Sequence, residues 1–232
     1  YVRFLGGSVT VNASKGHGIR GKDAVIVSDG TVSVTCSADG KKAITTDGYY
    51  QQDGGTVTAT ATGAVTYNSE DNDYDGVAGV KCDSAFNMNG GSLTAKASGA
   101  GAKGISVGGA ATFAGGRITA TASGKNRFYI NKGDYDTVSY SDNYKNKYAH
   151  SFAKAIKCDG NIVFSGSAVN VSAASHEGIE SKSTFTVSGS IYTLSAISLS
   201  VIMTGKRISG VLRALLLDLS IDHEADGLPR LV

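Results

Sequence analysis

The chain has 232 residues, with 22 Lys and Arg against 20 Asp and Glu for a net charge of +2, which gives no global attraction to nucleic acid or to an anionic membrane surface. Gly numbers 31 and Pro 1; Gly so far above its usual ~7% without a three-residue period excludes collagen, and a hydrophobic share of 41% excludes a disordered chain. Eight of the 11 Leu residues lie between Leu199 and Leu231, so residues 1–196 are short of a strong helix former, and no apolar run reaches the ~18 residues of a membrane-spanning helix.

From Ile19 onward the chain repeats itself. An Ile or Val preceded by a small residue stands at Ile19, Ile44, Val80, Ile105, Ile156 and Ile179. Eleven residues after each comes Gly30, Gly55, Gly91, Gly116, Ser167 or Ser190. The offset is constant while the full spacings run 25, 36, 25, 51 and 23. Extra residues are therefore confined to one corner of a fixed coil, as in a solenoid.

Three strands follow in each repeat. The Ile or Val and the residue two later mark a third short strand. Six and eight residues on come the pairs Val25/Val27, Tyr50/Gln52, Phe86/Met88, Ala111/Phe113, Ile162/Phe164 and Phe185/Val187. Thirteen, fifteen and seventeen residues on come Val32/Val34/Cys36, Val57/Ala59/Ala61, Leu93/Ala95/Ala97, Ile118/Ala120/Ala122, Val169/Val171/Ala173 and Tyr192/Leu194/Ala196, alternating with mostly polar residues. Period-two alternation means half-buried strands. Three short strands per 23–25 residues, stacked ~4.8 Å apart, predict an all-β chain. The predicted architecture over residues 1–196 is a right-handed parallel β-helix of about six and a half coils with two corner insertions. Cys82 and Cys158 share one column with Val107 between them, beyond disulfide reach. With Cys36 they read as small buried hydrophobes.

Charge falls in columns too. Two residues before the Ile or Val stand His17, Lys42, Lys103 and Lys154, and one after it Arg20, Lys81 and Lys157. They predict a cationic strip along the third strand, either a track for an anionic polymer or a set of solvated charges that limit edge aggregation. Three after the Ile or Val stand Asp47, Asp83 and Asp159. Asp47 and Asp83 fall on adjacent rungs, about 5 Å apart, spaced to share a calcium ion or to open a turn by bonding their own backbone. His17 and His176 occupy neighbouring corners and read as solvated; the four His form no ligand cluster. No motif for a nucleophile, a phosphate loop or a zinc site is present, and no residue is assigned a catalytic role.

The first insertion contains Asp71-Asn72-Asp73-Tyr74-Asp75-Gly76, the opening of a D-x-D-x-D-G calcium loop. The twelfth position, where a bidentate Glu belongs, is Cys82, so the alternatives are a weaker calcium loop through Asp71, Asp73 and Asp75 or a solvated acidic turn. The second insertion, Lys125 to Ala153, carries Tyr135 and Tyr140 among seven aromatics interleaved with Lys and Asp, a platform on which sugar rings can stack. After Ala196 the paired glycines due near 212 and 213 are replaced by Leu212 and Arg213. Residues 197–232 read either as a helix capping the open end or as a non-native segment translated out of frame, and the abrupt Leu enrichment favours the second.

The repeated Gly-Gly-Ser/Thr strand, the Gly-Ile corner and Ser175-His176-Glu177-Gly178-Ile179-Glu180-Ser181-Lys182-Ser183 resemble bacterial cell-surface β-helix proteins of a carbohydrate-binding domain family, over about residues 6–196. The resemblance implies a pectate-lyase-like fold, binding of plant polysaccharides including acidic ones such as pectin, and calcium held by carboxylates. It also implies a secreted or cell-surface location within a longer protein. Similar proteins carry paired Asp before the Gly-Ile, where this chain has Gly16-His17, Lys41-Lys42, Ala102-Lys103, Ala153-Lys154 and His176-Glu177. Asp47, Asp83 and the 70–75 loop then remain as calcium candidates.

The expected function is a non-catalytic polysaccharide-binding module, with Lys42, Lys81, Lys103, Lys154 and Lys157 meeting carboxylates, calcium bridging, and Tyr135 and Tyr140 stacking. Its partner is a polysaccharide, with neither nucleic acid nor membrane insertion involved. One alternative is a calcium-dependent polysaccharide lyase in which Lys103 or Lys154 serves as base. Another is a structural or surface-adsorbing solenoid that uses the outward Thr56/Thr58/Thr60, Thr94 and Thr119/Thr121.

Overall fold

The computed structural model describes residues 1–68, 70, 73–130, 133–135, 149–189 and 191–196, excepting the side chains of 129, 130, 133–135, 149 and 191–196. The expectations for Asp71, for Tyr140 and for the tail 197–232 fall outside the described residues, and Tyr135 is described in its backbone alone.

Among the described residues all regular structure is β-strand. Three parallel sheets are built by taking one strand from each successive repeat. The first runs from Val2–Phe4 through Ala24–Val27, Tyr49–Gln52, Phe86–Met88, Ala111–Phe113 and Ile162–Phe164 to Phe185–Val187. The second runs from Ser8–Ala13 through Thr31–Cys36, Thr56–Ala61, Ser92–Ala97, Arg117–Ala122 and Ala168–Ala173 to Ile191–Ala196. The third joins Ile19–Gly21, Lys42–Thr46, Ala78–Cys82, Lys103–Val107, Ile156–Cys158 and Ile179–Ser181.

The register follows the apolar columns residue for residue. Val32, Val57, Leu93, Ile118 and Val169 pair in series, and so do Val34, Ala59, Ala95, Ala120 and Val171. A slip of one residue would turn each buried column to solvent, so the columns themselves specify this pairing. Cys82 and Cys158 flank Val107, and all three cysteines are free and buried. Residues 2–13 supply one pair of strands ahead of the first Ile anchor, with Val9, Val11 and Ala13 pairing with Val32, Val34 and Cys36.

Aromatic rings ascend the interior of the first sheet. Tyr50 stacks on Phe86 at 4.8 Å, Phe86 meets Phe113 at 5.1 Å, and Phe113 stacks on Phe164 at 4.6 Å. Phe86 pairs directly with Ala111, and the small side chain leaves room for the diagonal contact to Phe113. One polar group is folded into this stack: Gln52 is fully buried, accepts from the Tyr50 hydroxyl at 2.8 Å and donates to the carbonyls of Gly54 and Ser92. A buried amide paired in this way avoids the penalty of an unsatisfied polar group.

Two glycine positions explain the repeat motif. Gly55 turns the chain between the first and second strands at φ +67°, and a Cβ there would stand 2.5 Å from the Gly30 carbonyl oxygen. Gly104, just before Ile105, has negative φ but no space, since a Cβ would stand 2.5 Å from the Ala155 carbonyl oxygen. The third strand therefore opens on a small residue because it crosses close to the neighbouring backbone.

Both insertions leave the second strand and rejoin at the third. Thr66–Asn68 and Asp73–Asp75 form an antiparallel hairpin. Arg127–Ile130 pairs with Gly133–Tyr135 on one side and Ala149–Ser151 on the other. The hairpin rests on a separate small cluster of Ala61, Val65, Val77, Ala97 and Ala102, with Tyr74 packed against it. The longer insertion is anchored by Phe128 and Phe152, edge to face at 5.8 Å, and Phe152 stacks on His176 at 4.1 Å.

Candidate functional site

The side chains at the entry to the third strands lie beside the two insertions, and their chemistry differs from rung to rung. His17 Nδ1 accepts the backbone N–H of Lys42 at 3.1 Å. Burial, then the charges of Lys42, Lys41 and Arg20, lower its pKa to about 4, so the ring is neutral rather than a solvated cation. Lys42 donates to the Gly40 carbonyl at 3.4 Å, and burial, then Lys81, lowers its pKa. Lys103 donates to Ser151 Oγ at 2.7 Å and to the Gly101 carbonyl at 3.1 Å. Burial, then the charges of Lys154 and Lys157, lower its pKa to about 7. Lys154 is buried between Glu180 at 2.6 Å and Glu177 at 3.2 Å, with its ammonium 5.5 Å from the centre of the Phe152 ring. His176 Nδ1 lies against Glu177 in the same group.

The structure divides the expected cationic strip in two. Lys81 and Lys157 stand on the outward face of the third sheet, in register with Ser106 between them. Each binds the carboxylate two residues on, Lys81 that of Asp83 and Lys157 that of Asp159. Asp159 also takes Lys182 at 2.7 Å, and Asp47 takes Arg20 at 3.1 Å. The strand pleat causes this pattern, because residues i and i+2 share a face and a Lys-x-Asp step closes its own ion pair. Asp47 and Asp83 thus each face a cation. The remaining calcium candidates described, Asp73 and Asp75, are exposed on the hairpin while Tyr74 between them turns inward. Among the described residues no group of three or more His, Cys, Asp or Glu side chains converges as a metal site.

Three residues that the sequence did not single out complete the corner. Ser151 is 7% exposed; its hydroxyl also donates to the Gly101 carbonyl at 2.8 Å. It lies within the 51-residue spacing from Ile105 to Ile156, which no periodic argument crosses. Glu177 and Glu180 had a signal, since they place acids where earlier repeats place Lys103, Lys154 and Lys157.

A different surface lies on the outward face of the second sheet. Thr10, Ser33, Thr58, Thr94, Thr119 and Asn170 pair in one ladder, and Asn12, Thr35, Thr60, Lys96, Thr121 and Ser172 in the next. Lys96 and Arg117, at opposite ends of two neighbouring strands, are exposed on it. Comparison with family models, with curated proteins and with solved structures finds no match for this chain.

Proposed function

We propose that the chain is a non-catalytic polysaccharide-binding module acting outside the cell or at its surface. In this reading the three sheets are the walls of a right-handed parallel β-helix of about six and a half coils. The observation that supports binding best is the pair of side-chain ladders on the second sheet. Their members stand ~4.8 Å apart between rungs and ~6.6 Å apart along a strand, a flat grid of hydroxyl and amide groups facing one way. An extended polymer also presents hydroxyls at regular intervals along a line. Threonine suits such a surface because its χ1 is already restricted, so little rotamer freedom is lost on contact. Lys96 and Arg117 supply charge for acidic sugars, in place of the strip, where Lys81, Lys154 and Lys157 face carboxylates. Calcium, in this reading, assists through the acidic hairpin of Asp73 and Asp75.

The test is calorimetric titration with polygalacturonate, in calcium and in chelator, together with co-sedimentation on insoluble cellulose. The expected result is binding to one of these, weakened more than tenfold by Thr58→Glu with Thr119→Glu in a protein of unchanged circular dichroism. Unchanged binding by that variant removes the second sheet as the surface. Absence of binding to both polymers overturns the reading.

One observation favours the lyase alternative, namely the Lys103 amine held near neutrality. A neutral amine can take the proton beside a uronate carboxyl as the glycosidic C–O bond breaks. Unsaturated product from polygalacturonate, lost in Lys103→Met, is the outcome expected of that alternative, and absence of product removes it.

A further inference from the structure

We infer that the chain closes an amide bond between Lys154 Nζ and Glu180 Cδ, with Glu177 carrying the proton. The bond is a self-made cross-link between neighbouring rungs, separate from the polysaccharide face. Lys154 Nζ lies 2.6 Å from Glu180 Oε2 and 3.2 Å from Glu177 Oε2. Lys154, Glu180 and Glu177 are 7%, 8% and 6% exposed. Ala153 and Ala155 on either side of the lysine are fully buried, and the Phe152 ring stands 5.5 Å from the ammonium. His176 Nδ1 lies against the same Glu177 oxygen, and its ring stacks on Phe152. Lys81 and Lys157 differ in kind, since each meets a carboxylate two residues on in its own repeat, at a more open position. Lys154 faces acids from the next rung, whose strand is in register with its own through Ile156 on Ile179 and Lys157 on Glu180.

Two physical effects favour the bond. Hydration keeps an ammonium and a carboxylate ionised in water, and this packing removes most of it. A buried ion pair then carries a desolvation cost that mutual attraction does not fully repay, whereas an amide is neutral and is cheaper to bury. The short contact also brings Nζ to within one C–O bond of the carbon it attacks. Reacting groups held ~3–3.5 Å apart exchange a bimolecular barrier for a unimolecular one. No substrate has to enter, because both reactants belong to the chain.

The step balances within these three side chains. One ammonium proton passes from Nζ to Glu180 Oε2, leaving an amine beside a carboxylic acid. The Nζ lone pair forms the bond to Cδ, and the nitrogen of the tetrahedral adduct gives its second proton to Glu177 Oε2. Glu177 returns that proton to the Glu180 hydroxyl, the Cδ–O bond breaks, and water leaves. Of the three ammonium hydrogens one stays on the amide and two depart with the oxygen, and nothing is oxidised or reduced.

The test is the intact mass of the whole folded chain, followed by proteolysis and sequencing of the fragments by mass spectrometry. The expected result is a mass lower by one water and a branched peptide that joins Lys154 to Glu180. Glu180→Gln keeps the electrophilic carbon and is expected to lose ammonia in place of water, a signature that a merely structural ion pair does not give. In Glu177→Gln the linked fraction of freshly made protein is expected to grow about a hundredfold more slowly; an unchanged rate overturns the proton-carrying role. An unaltered chain of full mass overturns the proposal, and so does a lost water that maps to an Asp-Gly step such as Asp159-Gly160. The mass of the unaltered chain decides even where a variant does not fold. None of these readouts involves a polysaccharide, so they succeed or fail independently of the binding surface.

Discussion

At the Lys103 amine, folding lowers the pKa to about 7 from an ordinary 10.5, with burial as the main cause. Between those values the unfolded chain holds a proton that the folded chain lacks, so this group makes stability rise with pH from about 7 toward 10.5. Lys103→Met removes the term. Its thermal midpoint is expected to exceed that of the unaltered protein by several degrees at pH 6, with the gap narrowing by pH 10; a gap independent of pH refutes the linkage. His17 acts in a lower window. Its folded pKa of about 4 lies below the ordinary 6.5, so its contribution is intact above pH 6.5 and is lost as pH falls toward 4. His17→Gln keeps an acceptor for the Lys42 N–H and is expected to flatten the stability profile between those limits, as read by urea unfolding. Lys154 lies between two buried carboxylates. Lys154→Met strands both and is expected to cost about 3–5 kcal/mol, measured by the same method.

Strands and columns were legible in the sequence to the residue, because the side-chain period of two and the constant offset from Ile to Gly are the same constraint seen twice. Phe86 opposite Ala111 and Cys82 beside Val107 both followed from counting. What counting missed is where charged side chains turn. Lys81 and Asp83 lie two apart on one face, so each is answered within its own repeat, and a column of like charges in the repeat pattern becomes a row of pairs in space. Ser151 was illegible for another reason: its place depends on how an insertion folds back, which has no period. The aromatic column permits a quantitative test. Phe113 is fully buried between Phe86 and Phe164, and Phe113→Ala is expected to cost about 3–5 kcal/mol. Phe185, only partly buried at the end of the column, is expected to cost less than half as much; equal losses in denaturant unfolding contradict a stack that weakens toward its end.

For the whole molecule, each rung packs chiefly on its neighbours, so stability grows by nearest-neighbour terms. The first rung has a neighbour on one side within this chain, and Val2, Phe4, Val11 and Ala13 are only partly buried. Amide exchange is therefore expected to be slowest at Ser92–Ala97 and Arg117–Ala122 and fastest at Val2–Phe4, with intermediate rates between. Uniform protection along the chain argues for a single cooperative unit instead.

The confinement of both insertions to the passage from second to third strand has a practical corollary. Spacings of 25 and of 51 residues deliver the next Ile in the same phase, so length at that corner carries no information about the pleat. At the glycine turn near Gly55 the reverse holds, since one extra residue there would exchange the faces of the strand that follows. That corner is thus a port for foreign sequence. A peptide grafted between Ala122 and Ala155 would be displayed from parallel sheets whose register does not depend on its length, whereas the same peptide placed at Gly55 would disturb the pairing from that strand onward.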